Sequence, residues 1–298
     1  MPSEVRGARD LVTLWRGLPV AILSYPASEL PLGVGLADLS DTLRFQAWRE
    51  HCVSPTVESC AEIGHPCAMV EGGFCKADAL FPVQIGGGAP SWRMATLFLQ
   101  WRPSLKALWL VALGETACTA LGWAARCLRE QYRMEQPELL KVARFSDVEL
   151  TPATTHWQLA FVTPWLVGKN IHASSPNTSA IARELGKSMR ARAHKFTALC
   201  TQERTWQRLS GHLVHHVANA LLSTGLTVEQ ANIEVMPLTL ASHSNDSTFE
   251  AISWNGEVVI QVEATLLPWL SLLTVCGGGE NADKGFGGVE LLPHGDTK

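Results

Sequence analysis

The order of periodic segments predicts an α+β protein made of two tandem ferredoxin-like (RRM-like) domains, with a glycine-rich loop ahead of the last strand. Three observations support this. Strand and helix signals follow the order β-α-β-β-α-β, plainly in the second half of the chain and more faintly in the first. Two long amphipathic helix patterns stand between short strand-like runs. An apolar segment from Ala264 to Val275 then breaks at a glycine cluster, Cys276 to Gly288, and a short strand-like piece, Val289 to Leu292, follows. The boundary falls near residue 150: residues 1–150 form an N-terminal domain with a Cys-rich insertion, and residues 151–298 form a C-terminal domain with a basic helix and the glycine-rich loop.

Taken in order, Leu11 to Leu23 reads as a strand closed by Pro26. A helix spans about Ser40 to His51, with Asp38, Ser40 and Asp41 as N-cap candidates. A Cys-, Gly- and Pro-rich loop covers Cys52 to about Pro90. Arg93 to Leu99 and Ala107 to Leu113 read as strands, Thr116 to Met134 as a helix and Val142 to Leu150 as a strand. In the second half His156 to Val162 is a strand that Thr163-Pro164 ends. Pro176 to Ser179 starts a helix that runs to about Cys200, and a further helix covers about Glu203 to Leu222. Ile233 to Leu240, Thr248 to Trp254 and Glu257 to Val262 are strands, with Asn255-Gly256 as a hairpin turn between the last two. Leu266 to Val275 is the last helix.

The chain has 298 residues, 46% apolar and 17% charged, so it can bury a core and is not disordered. It carries no apolar run of membrane-spanning length and no signal-peptide pattern, which places the expectation in the cytoplasm, with no membrane partner. Eight cysteines fit that compartment as free thiols. Net charge is −4, but 13 of the 24 Lys and Arg residues lie between Arg126 and Arg208 and none lies between Leu209 and Asp283. Segregated charge sustains a local positive surface despite an acidic total. Most of the eleven tryptophans are expected in the core, a few as stacking platforms.

Two basic stripes stand out. Arg126, Arg129 and Arg133 recur at i, i+3, i+7; Arg183, Lys187, Arg190 and His194 recur at i, i+4, i+7, i+11, opposite an apolar face of Ile181, Leu185, Met189, Phe196 and Leu199. Lys195 extends the basic run, and Arg192 falls inside the apolar sector. A solvated helix face is the ordinary fate of such charge, but only Glu184 is there to balance it. Two basic helices suit a stem-loop, because double-stranded RNA is gripped through phosphates and 2′-hydroxyls. In the glycine cluster, Gly277, Gly278, Gly279, Gly285 and Gly287, with Phe286 and Lys284, form an expected anion-binding concavity of free backbone N–H groups. No Gly-Lys-Ser/Thr triplet follows the glycines, which excludes a P-loop; a nucleotide-binding enzyme using this loop is the weakest of the readings.

Three stretches resemble the CRISPR endoribonucleases that process precursor crRNA, within the RAMP superfamily of RNA-binding proteins. They are Cys52, Cys60, Cys67 and Cys75 followed by Ala79-Leu80-Phe81-Pro82; Leu159 to Pro164 with the helix bearing Arg190 and Arg192; and Glu257-Val258-Val259 through Gly285-Phe286-Gly287-Gly288-Val289. The resemblance implies metal-independent cleavage of CRISPR repeat RNA with the product kept bound, and crRNA or repeat stem-loop RNA and CRISPR effector-complex subunits as partners. It implies no cofactor. Many such enzymes carry a catalytic His soon after the first strand, whereas the first His here is His51. That departure and the single Lys284 of the closing loop mark a divergent branch, in the direction of the type IV systems.

Histidine suits proton transfer near neutral pH, and arginine suits phosphorane charge. His51 with Arg44 and Arg49 are therefore the catalytic candidates, and Tyr25 and His194 the reserves. The polar end of a surface helix is the competing reading of the first three. The rival to cleavage as a whole is a non-catalytic RAMP subunit that holds crRNA. Cys52, Cys60, Cys67 and Cys75, with His51 and His65 nearby, have spacings unlike a zinc ribbon or finger, so a loop of free thiols stands beside zinc and no metal is expected. His212, His215 and His216 have helical spacing without a completing carboxylate. Gly86-Gly87-Gly88 reads as a plain loop.

Overall fold

The computed structural model describes residues 3–26, 35–52, 75–82, 94–151, 154–167, 176–200, 214–219, 221–222, 225–242, 247–280, 282 and 285–294. The chain divides into two compact units. The first comprises Thr13–Asp147 with Lys195–Gln207, and the second comprises Met1–Val12, Val148–His194 and Arg208–Lys298.

Helix α1, Ser3–Arg16, precedes β1, Pro19–Pro26. The expected strand from Leu11 is thus corrected. Ala8, Leu11, Val12 and Trp15 are all buried, at helical spacing. The apolar run joins a helix stripe to a strand near Gly17, and only the part from Pro19 is extended.

The first unit continues with α2 (Leu36–His51), α3 (Lys76–Leu80), β2 (Leu97–Arg102), β3 (Ala107–Leu113), α4 (Gly114–Tyr132) and β4 (Glu138–Arg144). Its sheet has the order β2-β3-β1-β4, and every neighbouring pair is antiparallel. That is the ferredoxin-like arrangement. The core forms where Leu39, Leu43 and Ala47 of α2 and Ala117, Ala120, Ala124 and Leu128 of α4 cover Leu97, Leu99, Leu108, Leu110 and Ala112. Strand residues two apart supply one face and helix residues three or four apart supply the other. The expected strand from Val142 to Leu150 is displaced. β4 ends at Arg144, whose N–H donates to Asp147 Oδ2 at 2.9 Å, and a 3-10 turn follows. β2 likewise begins later than expected, at Leu97. From Lys195 onward the last turns of the long helix described next belong to this unit. There Phe196 lies edge-on to Trp15 at 6.2 Å and tilted on Phe145 at 4.8 Å, and Trp15 Nε1 donates to Thr197 Oγ1 at 2.9 Å.

The second unit holds β5 (His156–Val167), α5 (Thr178–Cys200, to His194 in this unit), β6 (Leu226–Ser242), β7 (Ser247–Val262), α6 (Leu267–Cys276) and β8 (Val289–Pro293). The sheet order β6-β7-β5-β8, again antiparallel throughout, repeats the topology of the first. Asn177 caps α5, its Oδ1 accepting from Ala180 N–H at 2.8 Å. α6 is apolar all round and correspondingly buried, with Pro268 in its first turn. The described part of the expected Glu203–Leu222 helix, 214–219 and 221–222, is helical.

Two punctuation signals are corrected. Thr163-Pro164 does not end β5. The strand bulges between Phe161 and Trp165 and continues to Val167. Asn255-Gly256 is no hairpin turn: both residues lie inside β7, paired with Glu234 and Ile233. Gly256 has φ +114°, and a Cβ there would stand 2.1 Å from the Asn232 carbonyl oxygen. The glycine answers a close backbone approach rather than a turn. Among the described residues, no helix is long and apolar enough to cross a membrane.

Candidate nucleic-acid interface

The apolar stripe of α5 fixes where its charges point. Ile181, Leu185 and Met189 are buried, which leaves Arg183 and Lys187 exposed and Arg190 and His194 half-buried on the other side. The one acid of this face is recessed: Glu184 is buried and takes Lys187 Nζ at 3.5 Å. Arg190 Nη1 donates to Asn219 Oδ1 at 2.6 Å, which ties α5 to the helical residues 214–219.

Between these elements runs an open groove of about 500 Å3. Arg183, Lys187 and Arg190 line one side; Asn219 and Leu222 stand opposite, with Leu226, Thr227 and Val228 at the start of β6. Its floor is apolar, since Gly186, Leu226 and Val228 are buried. A smaller recess of about 210 Å3 continues past Lys187 and Arg190 to His194 and His215. Three guanidinium or ammonium groups over a shallow floor form a surface that attracts phosphate. The sequence stripe predicts one wall of this groove. Asn219 and Thr227 belong to the other wall and carry no one-dimensional signal, because distant segments bring them in.

Arg192 is different. It is 7% exposed and Nη2 donates to the Gly279 carbonyl at 3.2 Å, so the structure sets it toward the glycine loop and not with the groove-lining cations expected beside it. Its place in the apolar sector of α5 is that of a buried tie to the glycine loop. Lys195 is half-buried, in the part of α5 that belongs to the first unit.

The expected nest of free amides is also corrected. The glycine N–H groups of the loop have acceptors within the protein: Gly277 on Leu273, Gly278 on Gly287, Gly285 on Ala282 and Gly287 on Pro164. Gly279 N–H donates to Ser188 Oγ at 3.0 Å, and Gly288 N–H to Thr163 Oγ1 at 2.7 Å. The glycines are needed for space. A Cβ on Gly278 would stand 2.1 Å from the Trp165 ring, and one on Gly287 would stand 1.8 Å from the Gly278 carbonyl oxygen. The loop is stapled to the β5 bulge and to α5. Phe286 is half-buried, and Lys284 lies outside the described residues.

In the first unit, Arg126 and Arg129 are exposed on α4, and Arg133 is exposed just past its end with φ 57°. His51 ends α2 half-buried, its ring tilted on Trp123 at 4.8 Å between centroids. Its Nε2 is buried with no hydrogen-bond partner among the described residues. Trp123 Nε1 donates to Glu50 Oε2 at 2.7 Å, which sets the indole. Burial holds the His51 pKa below its ordinary value; the Lys76 ammonium adds to this and the Glu50 carboxylate opposes it. Arg44 lies two turns before His51 on the same stripe and is half-buried, whereas exposed Arg49 lies on the opposite side of α2. Tyr25 is in the core, fully buried.

Cys52 is half-buried and Cys75 is buried, both as free thiols, and burial raises the Cys75 pKa. Cys60, Cys67, His65, His212 and Gly86-Gly87-Gly88 lie outside the described residues, while His215 and His216 are exposed. Among the described residues no three His, Cys, Asp or Glu side chains group to hold a metal.

No family model matches the chain, and no curated protein matches it. Among solved structures it is similar to a Cas6 product complex, at 16% identity over 92% of this chain and 100% of that one, with a TM-score of 0.47. It is similar to an RAMP protein binding different RNA substrates, at 11% identity over 93% and 100%, TM-score 0.44. The product of a Cas6-related gene from Pyrococcus furiosus matches at 9% identity over 94% and 100%, TM-score 0.41. The tandem ferredoxin-like assignment rests on the strand order of the two sheets and on that alone.

Proposed function

We propose that this chain binds structured RNA and processes CRISPR repeat RNA, cutting at the base of a repeat hairpin without a metal ion and keeping the product for an effector complex. The observation that supports RNA as ligand is the α5 groove, where Arg183, Lys187 and Arg190 share one accessible face and the nearest acid, Glu184, is buried. The exposed arginines of α4 offer a second phosphate-binding face. In the reaction the 2′-hydroxyl gives up its proton and bonds to phosphorus, the P–O5′ bond breaks, and the 5′-oxygen takes a proton. The products are a cyclic phosphate and a 5′-hydroxyl. His51, with its pKa lowered, is neutral at pH 7 and so in the form that accepts a proton. Arg44 on the same stripe supplies charge to the phosphorane. The test is repeat RNA incubated with the protein in excess EDTA: a cyclic-phosphate product supports the proposal, and intact RNA in a stable complex rejects cleavage.

A second reading, a RAMP subunit that holds crRNA and cuts nothing, is favoured by one observation. The His51 Nε2 is buried against Trp123, and Arg49 lies on the far side of the helix. Binding without cleavage in the same assay selects it.

A further inference from the structure

The α5 groove is more than a charged strip. A duplex backbone needs only the cations, which stand at the rim; beneath them lies an apolar floor built from Gly186, Leu226 and Val228. The volume, about 500 Å3, falls in the size class of small-molecule pockets, roughly 300–1,000 Å3. An apolar floor under a cationic rim complements an amphipathic anion with a flat uncharged part and a phosphate at each end. An unpaired nucleotide in an RNA strand has that make-up. Proteins read RNA sequence mostly at bases splayed out of the helix, where the flat face and the edge are both free. Beside the floor stand two exposed residues with groups able to read a base edge: Asn219, whose Oδ1 accepts from Arg190 and whose NH2 carries two donors, and Thr227, with its hydroxyl.

We infer that this groove is a subsite for one unpaired nucleotide of the bound RNA, with the base on the Gly186–Leu226–Val228 floor and the flanking phosphates on Arg183, Lys187 and Arg190. The inference rests on the RNA-binding reading above and adds to it where, and by what chemistry, a single base is held. Backbone contacts then provide salt-dependent affinity, and the floor provides discrimination between a strand with a base at that position and one without.

Gly186 permits a test that leaves every cation in place. A Cβ there would meet only Leu222, at 3.6 Å or more, which is ordinary contact, so a larger side chain extends over the floor. The probes are two labelled RNA hairpins with the same stem, each carrying one unpaired residue beside it, a nucleotide in one and an abasic sugar-phosphate in the other. Wild-type protein is expected to prefer the intact hairpin about fivefold, the order of discrimination that covering one base face with apolar side chains supplies. Gly186→Leu should reduce that preference to less than about twofold, with the slope of log K against log salt unchanged. Arg183→Ala should do the reverse, lowering the slope by about one and keeping the preference. Ala182→Met, on the same wall, fills the groove in case Gly186→Leu does not fold. Equal affinity of wild-type protein for both hairpins, with a steep salt slope, overturns the subsite and leaves RNA binding standing. Absence of salt-dependent binding to either overturns both. Binding of free adenosine 5′-monophosphate as tight as that of the intact hairpin assigns the groove to a mononucleotide and overturns the strand.

Discussion

Arg192 Nη2 donates to the carbonyl oxygen of Gly279 at 3.2 Å across 87 residues of sequence. The bond joins the middle of α5 to the glycine loop, and the Gly279 N–H returns to Ser188 Oγ on the same helix. A guanidinium 7% exposed is stable only where its charge is matched by acceptors. Arg192→Met keeps the apolar stem and removes the donors. It should destabilise the protein by about 1.5–3 kcal/mol, the range for hydrogen bonds to a charged group, measured as a fall in the denaturant midpoint. The slope of RNA affinity against salt should stay as in the wild type. A lower slope would return Arg192 to the RNA interface.

The glycine loop makes a second prediction from space alone. Gly278→Ala drives a methyl into the Trp165 ring, and Gly287→Ala adds a residue with positive φ to a clash with the Gly278 carbonyl. Overpacking of this kind costs about 1–3 kcal/mol. Gly122, inside α4 and exposed, has nothing within 4 Å of its Cβ position. Gly122→Ala should therefore stabilise by about 0.5–1 kcal/mol through helix propensity. Chemical denaturation of the three variants checks the ordering; a neutral Gly278→Ala would mean that Trp165 does not sit against the loop.

Arg183, Lys187 and Arg190 should each contribute to the salt dependence of RNA binding. Replacing any one by Ala should lower the slope of log K against log salt by about one. Lys187 is expected to contribute least, since Glu184 already takes part of its charge at 3.5 Å. Arg190→Ala also frees Asn219, so its effect on affinity should exceed its effect on slope. Fluorescence anisotropy at four salt concentrations separates the two, and an unchanged slope for all three variants would remove the groove from the interface.

Much of this was legible in one dimension, where periodicity governs. Strand β3 runs over Ala107–Leu113, the bounds read from its short apolar run, and the basic stripe of α5 emerges on one face because its apolar stripe is buried on the other. What stayed hidden depended on distant backbone. Asn255-Gly256 has the local chemistry of a hairpin turn, yet Gly256 is required because the Asn232 carbonyl comes so close. The glycine cluster has the composition of an anion nest, but Pro164 and Thr163 of the β5 bulge take its amides, and the Thr163–Gly288 bond spans 125 residues. Arg192 announced itself as a charge on an apolar stripe; only the fold shows which carbonyl it serves. The second wall of the groove, Asn219 and Thr227, arrives by tertiary folding and leaves no pattern to read.

His51 ties stability and chemistry to pH in one direction. Glu50 fixes the Trp123 indole, the indole packs tilted against His51, and burial with the nearby Lys76 ammonium favours the neutral imidazole. Its folded pKa lies below the unfolded value of about 6.5, so the unfolded chain binds more protons. Stability from this site is therefore fully present above about pH 6.5 and is lost as pH falls through the folded pKa. His51→Gln should flatten the stability profile on the acid side of about pH 6.5, leaving the curve above it in place, as read by thermal melts across a pH series. If His51 is also the base in RNA cleavage, the acid limb of the rate profile should bend below about pH 6.5, because the proton-accepting form survives further into acid than a free imidazole would. A bend at or above that pH, or a His51→Gln enzyme that cuts at the wild-type rate, would assign the proton transfer to another group and leave His51 as a packing residue under Trp123.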